Sequence, residues 1–301
     1  MKTKIILTAL LMLAATFAAA ARPDLVVEGV RMPAWVEHPS GARAPLATGK
    51  VLINRDRVYT GPGARALLRL ADGSLINLGE NGQFALDDLG RRKIGGGDVV
   101  TVSLEVISGA LRISTQADYK FRGERDIKVT IATITAGIRG MDGQGTKPTR
   151  IWAKAGKARD IVCLIEGAVT VVRGSEAFTM DQPMSYYLAP RKEPALPVAP
   201  VQQRQLDEWL AETEMIFGSG ALHKGGKWKV YLAEANTQEA ALEIYDRLRE
   251  AGFPAEIRPV KSESGMIYKL RVSNLSSKHE AEALAGEIKG RLEIAEPRVS
   301  R

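Results

Sequence analysis

From Leu25 to about Leu188, apolar residues return at nearly every second position in one short run after another. The runs include "ARALLRL", "SLINL", "DVVTVSLEVISGALRIS", "IKVTIATI" and "IVCLIEGAVTVV". Glycine-, aspartate- and asparagine-bearing pieces such as "TGPG", "ADGS", "GENG", "GGGD" and "VRGSE" separate them. Successive side chains of a strand point to opposite faces, so a period of two buries one face and wets the other. Short alternating runs with such turns predict an all-β domain over 25–188. Two pieces echo each other, "SGALRIS" at Ser108–Ser114 and "EGAVTVV" at Glu166–Val172. Each is a glycine, free to take an unusual backbone angle, followed by an alternating strand. Stacked short strands, either β-helix-like or in a sandwich, accommodate this echo.

The pattern then changes. "APRKEPALPVAP" is dense in proline and predicts a stiff, extended linker over 189–201. In "VQQRQLDEWLAETEMIF", Leu206, Trp209, Leu210, Thr213 and Ile216 fall at helical spacing. An amphipathic helix over 202–217 follows, either packed on the β domain or acting as a spacer. "GSGALHKGGK" predicts a flexible linker over 218–226.

Over 227–301 one unit occurs twice. "KWKVYLA" alternates, with Trp228, Val230 and Leu232 on one face and Lys229, Tyr231 and Ala233 on the other. Asn236 and Glu239 fit a capping box, Ala241, Ile244, Tyr245 and Leu248 form a helical stripe, and Gly252 ends it. "AEIRPV" supplies the next strand. "MIYKLRVSN" begins the second copy, with Ser277 and Glu280 as its cap and Ala281, Leu284, Ala285, Ile288 and Leu292 as its stripe. "EIAEPRV" supplies a fourth strand. The order is βαββαβ, an α+β ferredoxin-like domain with both helices on one sheet face and the other face open. The fold class is thus multi-domain, in keeping with 301 residues.

The N-terminal "MKTKIILTALLMLAATFAAAARPD" has a basic start, an apolar stretch from Ile5 to Phe17 and small residues at Ala18–Ala21. This is the pattern of a signal peptide over 1–21. A periplasmic protein with no stable transmembrane segment after cleavage is expected; an uncleaved anchor is the alternative. The net charge of +7 favours a polyanionic partner. Export removes nucleic acid from that class and leaves cell-wall polymer or anionic lipid. Cys163 is the single cysteine, so no internal disulfide forms, and its apolar neighbours in "DIVCLIEG" predict a packing thiol. His38, His223 and His279 lie far apart with no ligand spacing, and no G-x-S-x-G elbow occurs. "KIGGGDVV" lacks the spacing of a phosphate loop, and Asp87 and Asp88 are ascribed to a turn. No catalysis, cofactor or metal is expected.

Two family resemblances add to this. "LINRDRVYTGPGARALLRLADGSLINLGENGQFAL", "ISGALRIS", "ITAGIRGMD" (Ile134–Asp142) and "LIEGAVTVV" come in the order found in the FecR-type periplasmic domain. The resemblance covers about Lys50 to Leu188, with Met141 where that family has threonine. It implies a β-rich module, known from the outer-facing part of sigma-factor regulators and from free periplasmic proteins. Sigma-factor signalling is not expected, since no cytoplasmic domain precedes the leader. Arg139, beside Gly140, is expected in a polar contact, with Glu166 as its suggested partner.

"WKVYLAEA" and "YKLRVSNL", in their βαββαβ setting, resemble the SPOR domain. That resemblance implies binding of septal peptidoglycan, notably glycan strands stripped of stem peptides, on the open sheet face. Strand parity places Lys229, Tyr231, Ile267, Lys269 and Arg271 there, and Trp228 and Tyr268 at the core or rim. Tyr231 replaces a usual glutamine, Ala233–Glu234 a glycine–serine pair, and Ser273–Leu275 a glycine–proline–phenylalanine. The expected function is non-catalytic: peptidoglycan glycan binding that tethers the FecR-like domain at the cell wall, at the division site by family analogy. The alternative is a regulatory module whose FecR-like domain binds a periplasmic protein and whose SPOR-like domain has lost its glycan. A glycan-cleaving enzyme needs paired carboxylates on the face, and parity places none there.

Overall fold

The computed structural model describes residues 25–94, 97–115, 124–140, 148–263, 265–292, 294 and 296–301. The expected signal peptide, Met141 and the side chain of Arg139 lie outside the described residues. Alternation becomes strands as follows: β1 (Leu25–Arg31), β2 (Ala34–Glu37), β3 (Arg43–Pro45), β4 (Arg57–Thr60), β5 (Arg65–Leu70), β6 (Leu75–Leu78), β7 (Gln83–Ile94) and β8 (Gly97–Ser114). Then come β9 (Glu124–Ile131), β10 (Ile134–Gly140), β11 (Arg150–Ala155), β12 (Arg159–Glu166), β13 (Val169–Arg173), β14 (Glu176–Met180), β15 (Ser185–Pro190) and β16 (Ala199–Pro200).

These strands form two sheets that share β8. Its first part, up to Ser108, pairs with β7 and, in parallel, with β9. From Gly109 on it pairs with β6 and β11. Gly109 sits at φ 89°, and a Cβ there would meet the backbone of Gly82 at 2.7 Å, so a bare residue lets the strand pass from one sheet to the other. The first sheet runs β1–β5–β6–β8–β11–β12–β15–β16; the second runs β3–β2–β4–β7–β8–β9–β10–β13–β14. Their buried positions, among them Val27, Leu68, Ile76 and Leu111 against Val36, Val58, Phe84 and Val102, share one core. Asp87 and Asp88 lie on β7 and not in a turn, with Asp87 the extra residue of a bulge.

Residues 189–201 double back along β15, where Leu196 N–H donates to the Leu188 carbonyl and β16 pairs with Ser185–Tyr186. Helix α1 (Gln203–Ala211) then crosses the outer face of the first sheet. Trp209 stacks on the buried Trp152, with centroids 4.8 Å apart and planes 1° off parallel. Leu206, Trp152 and Cys163 join a second apolar cluster beneath the helix. Burial pushes the Cys163 thiol up to about 12. The helix is shorter than its apolar spacing predicts. Glu212 and Thr213 N–H groups turn back to the carbonyls of Trp209 and Leu210, the tight closing turn of a helix end, and Ile216 is left exposed.

The C-terminal domain has β18 (Trp228–Ala235), α2 (Gln238–Glu250), β19 (Glu256–Ser262), β20 (Gly265–Leu275), α3 (Lys278–Leu292) and β21 (Arg298–Ser300). Its strands lie in the order β21–β18–β20–β19, all antiparallel. Ala241 and Leu248 of α2 and Ala281, Leu284 and Ile288 of α3 are buried against the sheet, and Ile244, Tyr245, Ala285 and Leu292 are packed at its margin. Thr237, not Asn236, caps α2, accepting from Ala240 N–H at 3.2 Å. Gly252 ends it: the Phe253 N–H returns to Leu248 O at 2.9 Å.

The join between the domains is built of strand and charge. Residues 218–226, expected as a flexible linker, contain a two-residue strand, β17 (Leu222–His223), that pairs with β1 on one side and β20 on the other. Hydrogen-bonded sheet therefore continues from one domain to the other. Ser277 caps α3 as expected, but Glu280 makes no return contact to it. Instead its buried carboxylate accepts from the N–H groups of Gly218, Gly220 and Ala221 at 2.7, 2.6 and 2.8 Å. At the end of α2, a Cβ on Gly252 would approach Trp35 at 2.7 Å and Pro33 at 2.8 Å. The first domain's β2 region lies that close.

Candidate functional site

The sheet face of the C-terminal domain opposite α2 and α3 carries cross-strand rows. Arg298, Tyr231, Arg271 and Glu256 stand in one row across all four strands. Glu234, Lys269 and Arg258 stand in the next, and Ile267 faces Val260 in the third. Lys229 lies opposite Ser300 at the other end. The five residues singled out by parity thus share this face, with Tyr231 directly opposite Arg271.

Two β-bulges shape it. Between Tyr231 and Ala233 the pairing slips by one residue at Leu232. Ala233, expected on the open face, is turned to the core and packs against it, and Glu234 takes the open position. The second irregularity lies between Trp228 and Val230, where β20 contributes the extra residue and Asn274 has φ 71°. Trp228 and Tyr268 pack against the core. Ser273 and Asn274 border a cavity of about 270 Å³ between the domains, with Glu256, Thr48 and Phe253.

Most of the cations on the face are answered by carboxylates. Lys269 Nζ lies 3.1 Å from Glu234 Oε1. Glu256 Oε2 is shared between Arg271 Nη2 at 3.3 Å and Arg258 Nε at 3.1 Å. Lys269, Glu234, Glu256 and Arg258 are partly exposed and Arg271 less so, at 18%; pairs open to solvent in this way are worth about 0–1 kcal/mol. Among the described residues, Lys229 and Arg298 have no ion pair. The face therefore offers two uncommitted cations, an aromatic plane at Tyr231 and an apolar step at Ile267. Its two carboxylates flank β20, each held by a cation.

Arg258, Arg298 and Glu256 were not singled out from the sequence, although phasing "AEIRPV" and "EPRV" by their apolar residues would have placed them. Glu234 was beyond reach by parity, since a bulge reverses the count. Glu166, suggested as the partner of Arg139, is 3.0 Å from Arg150. His38 Nδ1 is held 2.7 Å from the buried Asp56 carboxylate. Among the described residues, no cluster of three or more His, Cys, Asp or Glu side chains forms a metal-sized site, and no helix is long and apolar enough to cross a membrane.

The model of the FecR protein family matches residues 56–170, and that of the SPOR domain matches residues 224–295. The chain carries a FecR domain followed by a C-terminal SPOR domain, both typical of the cell envelope. No curated protein matches it. Among solved structures, two crystal structures of a proposed anti-sigma factor from Parabacteroides distasonis ATCC 8503 are similar, at 15% and 14% identity. Each alignment covers 79% of this chain and 92% or 91% of the other, with TM-scores of 0.38 and 0.37. Likeness at that level carries neither fold nor role across.

Proposed function

We propose that the protein binds peptidoglycan glycan strands on the uncovered face of its SPOR domain and holds its FecR domain at the cell wall, with the division site as the place of action. The observation that supports this most is the SPOR match itself, on a domain whose sheet has one face clear of helices. Lys229, Tyr231, Ile267, Lys269 and Arg271 are proposed as the contacts. A sugar polymer offers hydroxyl and acetamido groups to the donors and a flat face to Tyr231. Because sheet runs through the join, a glycan bound here would orient the FecR domain as well as concentrate it. The protein has no catalytic role in this reading.

The test is co-sedimentation of the full chain with purified sacculi, chased with glycan freed of stem peptides. Retention that the free glycan competes away is expected, and Kd should rise about tenfold for each of Tyr231→Ala and Arg271→Ala, a loss of about 1.4 kcal/mol. Equal recovery with and without sacculi would overturn the proposal. A second reading is supported by Glu234 and Glu256, which neutralise the central cations: the SPOR domain has lost its glycan, and the FecR domain binds a periplasmic protein in a regulatory role. Failed sedimentation together with a protein crosslinked to the FecR domain would favour it.

A further inference from the structure

Away from that face, the structure holds a groove of about 500 Å³ between α1 and the outer side of the first sheet. This volume lies within the range of small-molecule sites. Its apolar walls are Leu67, Leu75, Ile165, Met184, Leu206 and Leu210. Trp209, stacked on Trp152, and the 2.8 Å ion pair between Lys154 and Glu212 clamp the helix over the sheet beside it.

One cation lies in this apolar setting without an answer. Arg112, on β8, lines the groove. Among the described residues its guanidinium makes no hydrogen bond and no ion pair, and its Nε is fully buried. Burial lowers the Arg112 pKa; attraction from Glu214 offsets only part of this, and repulsion from Arg150 adds to it. The groove's other arginine, Arg150, is already committed to Glu166, and the Gln203 amide to Asp207 at 2.7 Å. A desolvated cation with no partner is costly, and a bound anion removes that cost.

We propose that this groove binds a small amphiphilic carboxylate, a free acid with an unbranched alkyl chain, its carboxylate clasped by Arg112 and its chain laid between α1 and the sheet. A single uncommitted guanidinium matches a single negative charge, and its planar fork matches two carboxylate oxygens. The six apolar walls match an alkyl chain, while Asn77 and Ser114 line the groove on the same sheet as Arg112 and place its polar side there. An esterified acyl chain lacks the terminal carboxylate and would leave Arg112 unanswered. The site is independent of the glycan reading.

Calorimetric titration of the full chain with decanoate tests this, with decanol as the uncharged control. One saturable site is expected for decanoate, at least tenfold weaker binding for decanol, and a similar loss in Arg112→Gln. Arg112→Lys, which keeps the charge and loses the fork, should fall between. No saturable decanoate binding, or decanol bound as tightly as decanoate, overturns the proposal, as does Arg112→Gln binding unchanged. Should Arg112→Gln fail to fold, the contrast of decanoate with decanol on the unaltered chain decides alone.

Discussion

Two charged side chains withdrawn from water, Glu280 and Arg112, are treated in opposite ways. Glu280 is almost wholly buried, and three backbone N–H groups converge on its carboxylate. Arg112 is half-buried and has no hydrogen-bonding partner among the described residues. A buried charge with its hydrogen bonds satisfied belongs to the architecture, while one left unsatisfied marks stability given up at that place. Glu280 is accordingly part of the join between domains. Arg112 sits on a sheet face under a helix, among Leu67, Leu75 and Leu206 and beside Asn77, its cross-strand neighbour.

The largest effect separating the two is expected from Glu280→Ala. It strands three amides in the join, and stability in urea should fall by about 3 kcal/mol or more. Glu280→Gln keeps one acceptor oxygen and should cost less. A change below about 1 kcal/mol for Glu280→Ala would mean that the join is held elsewhere and would break the contrast.

Next comes the roof over Arg112. Trp209→Ala removes the stack on Trp152 and the edge contact with Tyr186 at 5.6 Å, and should cost roughly 2–3 kcal/mol. Loosening α1 also returns water to Arg112. Combined with Arg112→Met, the two changes should therefore be non-additive, a coupling that a double-mutant cycle reads directly.

Cys163, in the same cluster beneath α1, gives a smaller effect with a definite sign. Burial holds its folded pKa at about 12, above the ordinary thiol value of 9.0. Between these values the unfolded chain loses the thiol proton before the folded one does, so the unfolded state binds fewer protons and stability falls as pH rises. Below pH 9 the contribution is intact. From there toward 12 the loss is about 1 kcal/mol per pH unit relative to Cys163→Ala, which lacks this slope. Parallel stability curves for the two proteins from pH 8 to 10.5 would show that the thiol is not secluded there.

The contrast between Glu280 and Arg112 also shows what local pattern can reveal. Alternation marks the strands because burial of one face acts residue by residue, and the stripes Ala241–Leu248 and Ala281–Ile288 follow from helical period alone. The apolar surroundings of Cys163 were legible for the same reason. Glu280 looked like one half of a capping box because Ser277 lies three residues before it. Its real donors are about sixty residues away, and no local spacing encodes them. The glycines of "GSGALHKGGK" suggested freedom, yet Gly218 and Gly220 are held by that distant carboxylate. On the candidate glycan face, parity reached Tyr231, Lys269 and Arg271 on regular strand and failed at Ala233 and Glu234, because a bulge exchanges faces without leaving a mark in hydrophobicity. Arg112 falls at an ordinary polar position of an alternating run. Only the placement of α1 turns that position into an interior.

The smallest effect, and the one that most sharpens the contrast, is expected from Arg112→Met. In the ligand-free protein this change replaces a desolvated cation with an apolar chain of similar length among Leu67, Leu75 and Leu206. It should raise stability by about 1 kcal/mol, the sign opposite to Glu280→Ala. Decanoate then reverses the ranking. A ligand bound only by the folded state adds about 1.4 kcal/mol at ten times its Kd, and the unaltered chain alone should gain it. The two thermal midpoints should therefore cross as decanoate is added: the variant is the more stable without it, the original chain with it. Midpoints that stay parallel across the titration would show that Arg112 is an ordinary buried cation whose cost the fold simply carries, and its difference from Glu280 would then be one of degree.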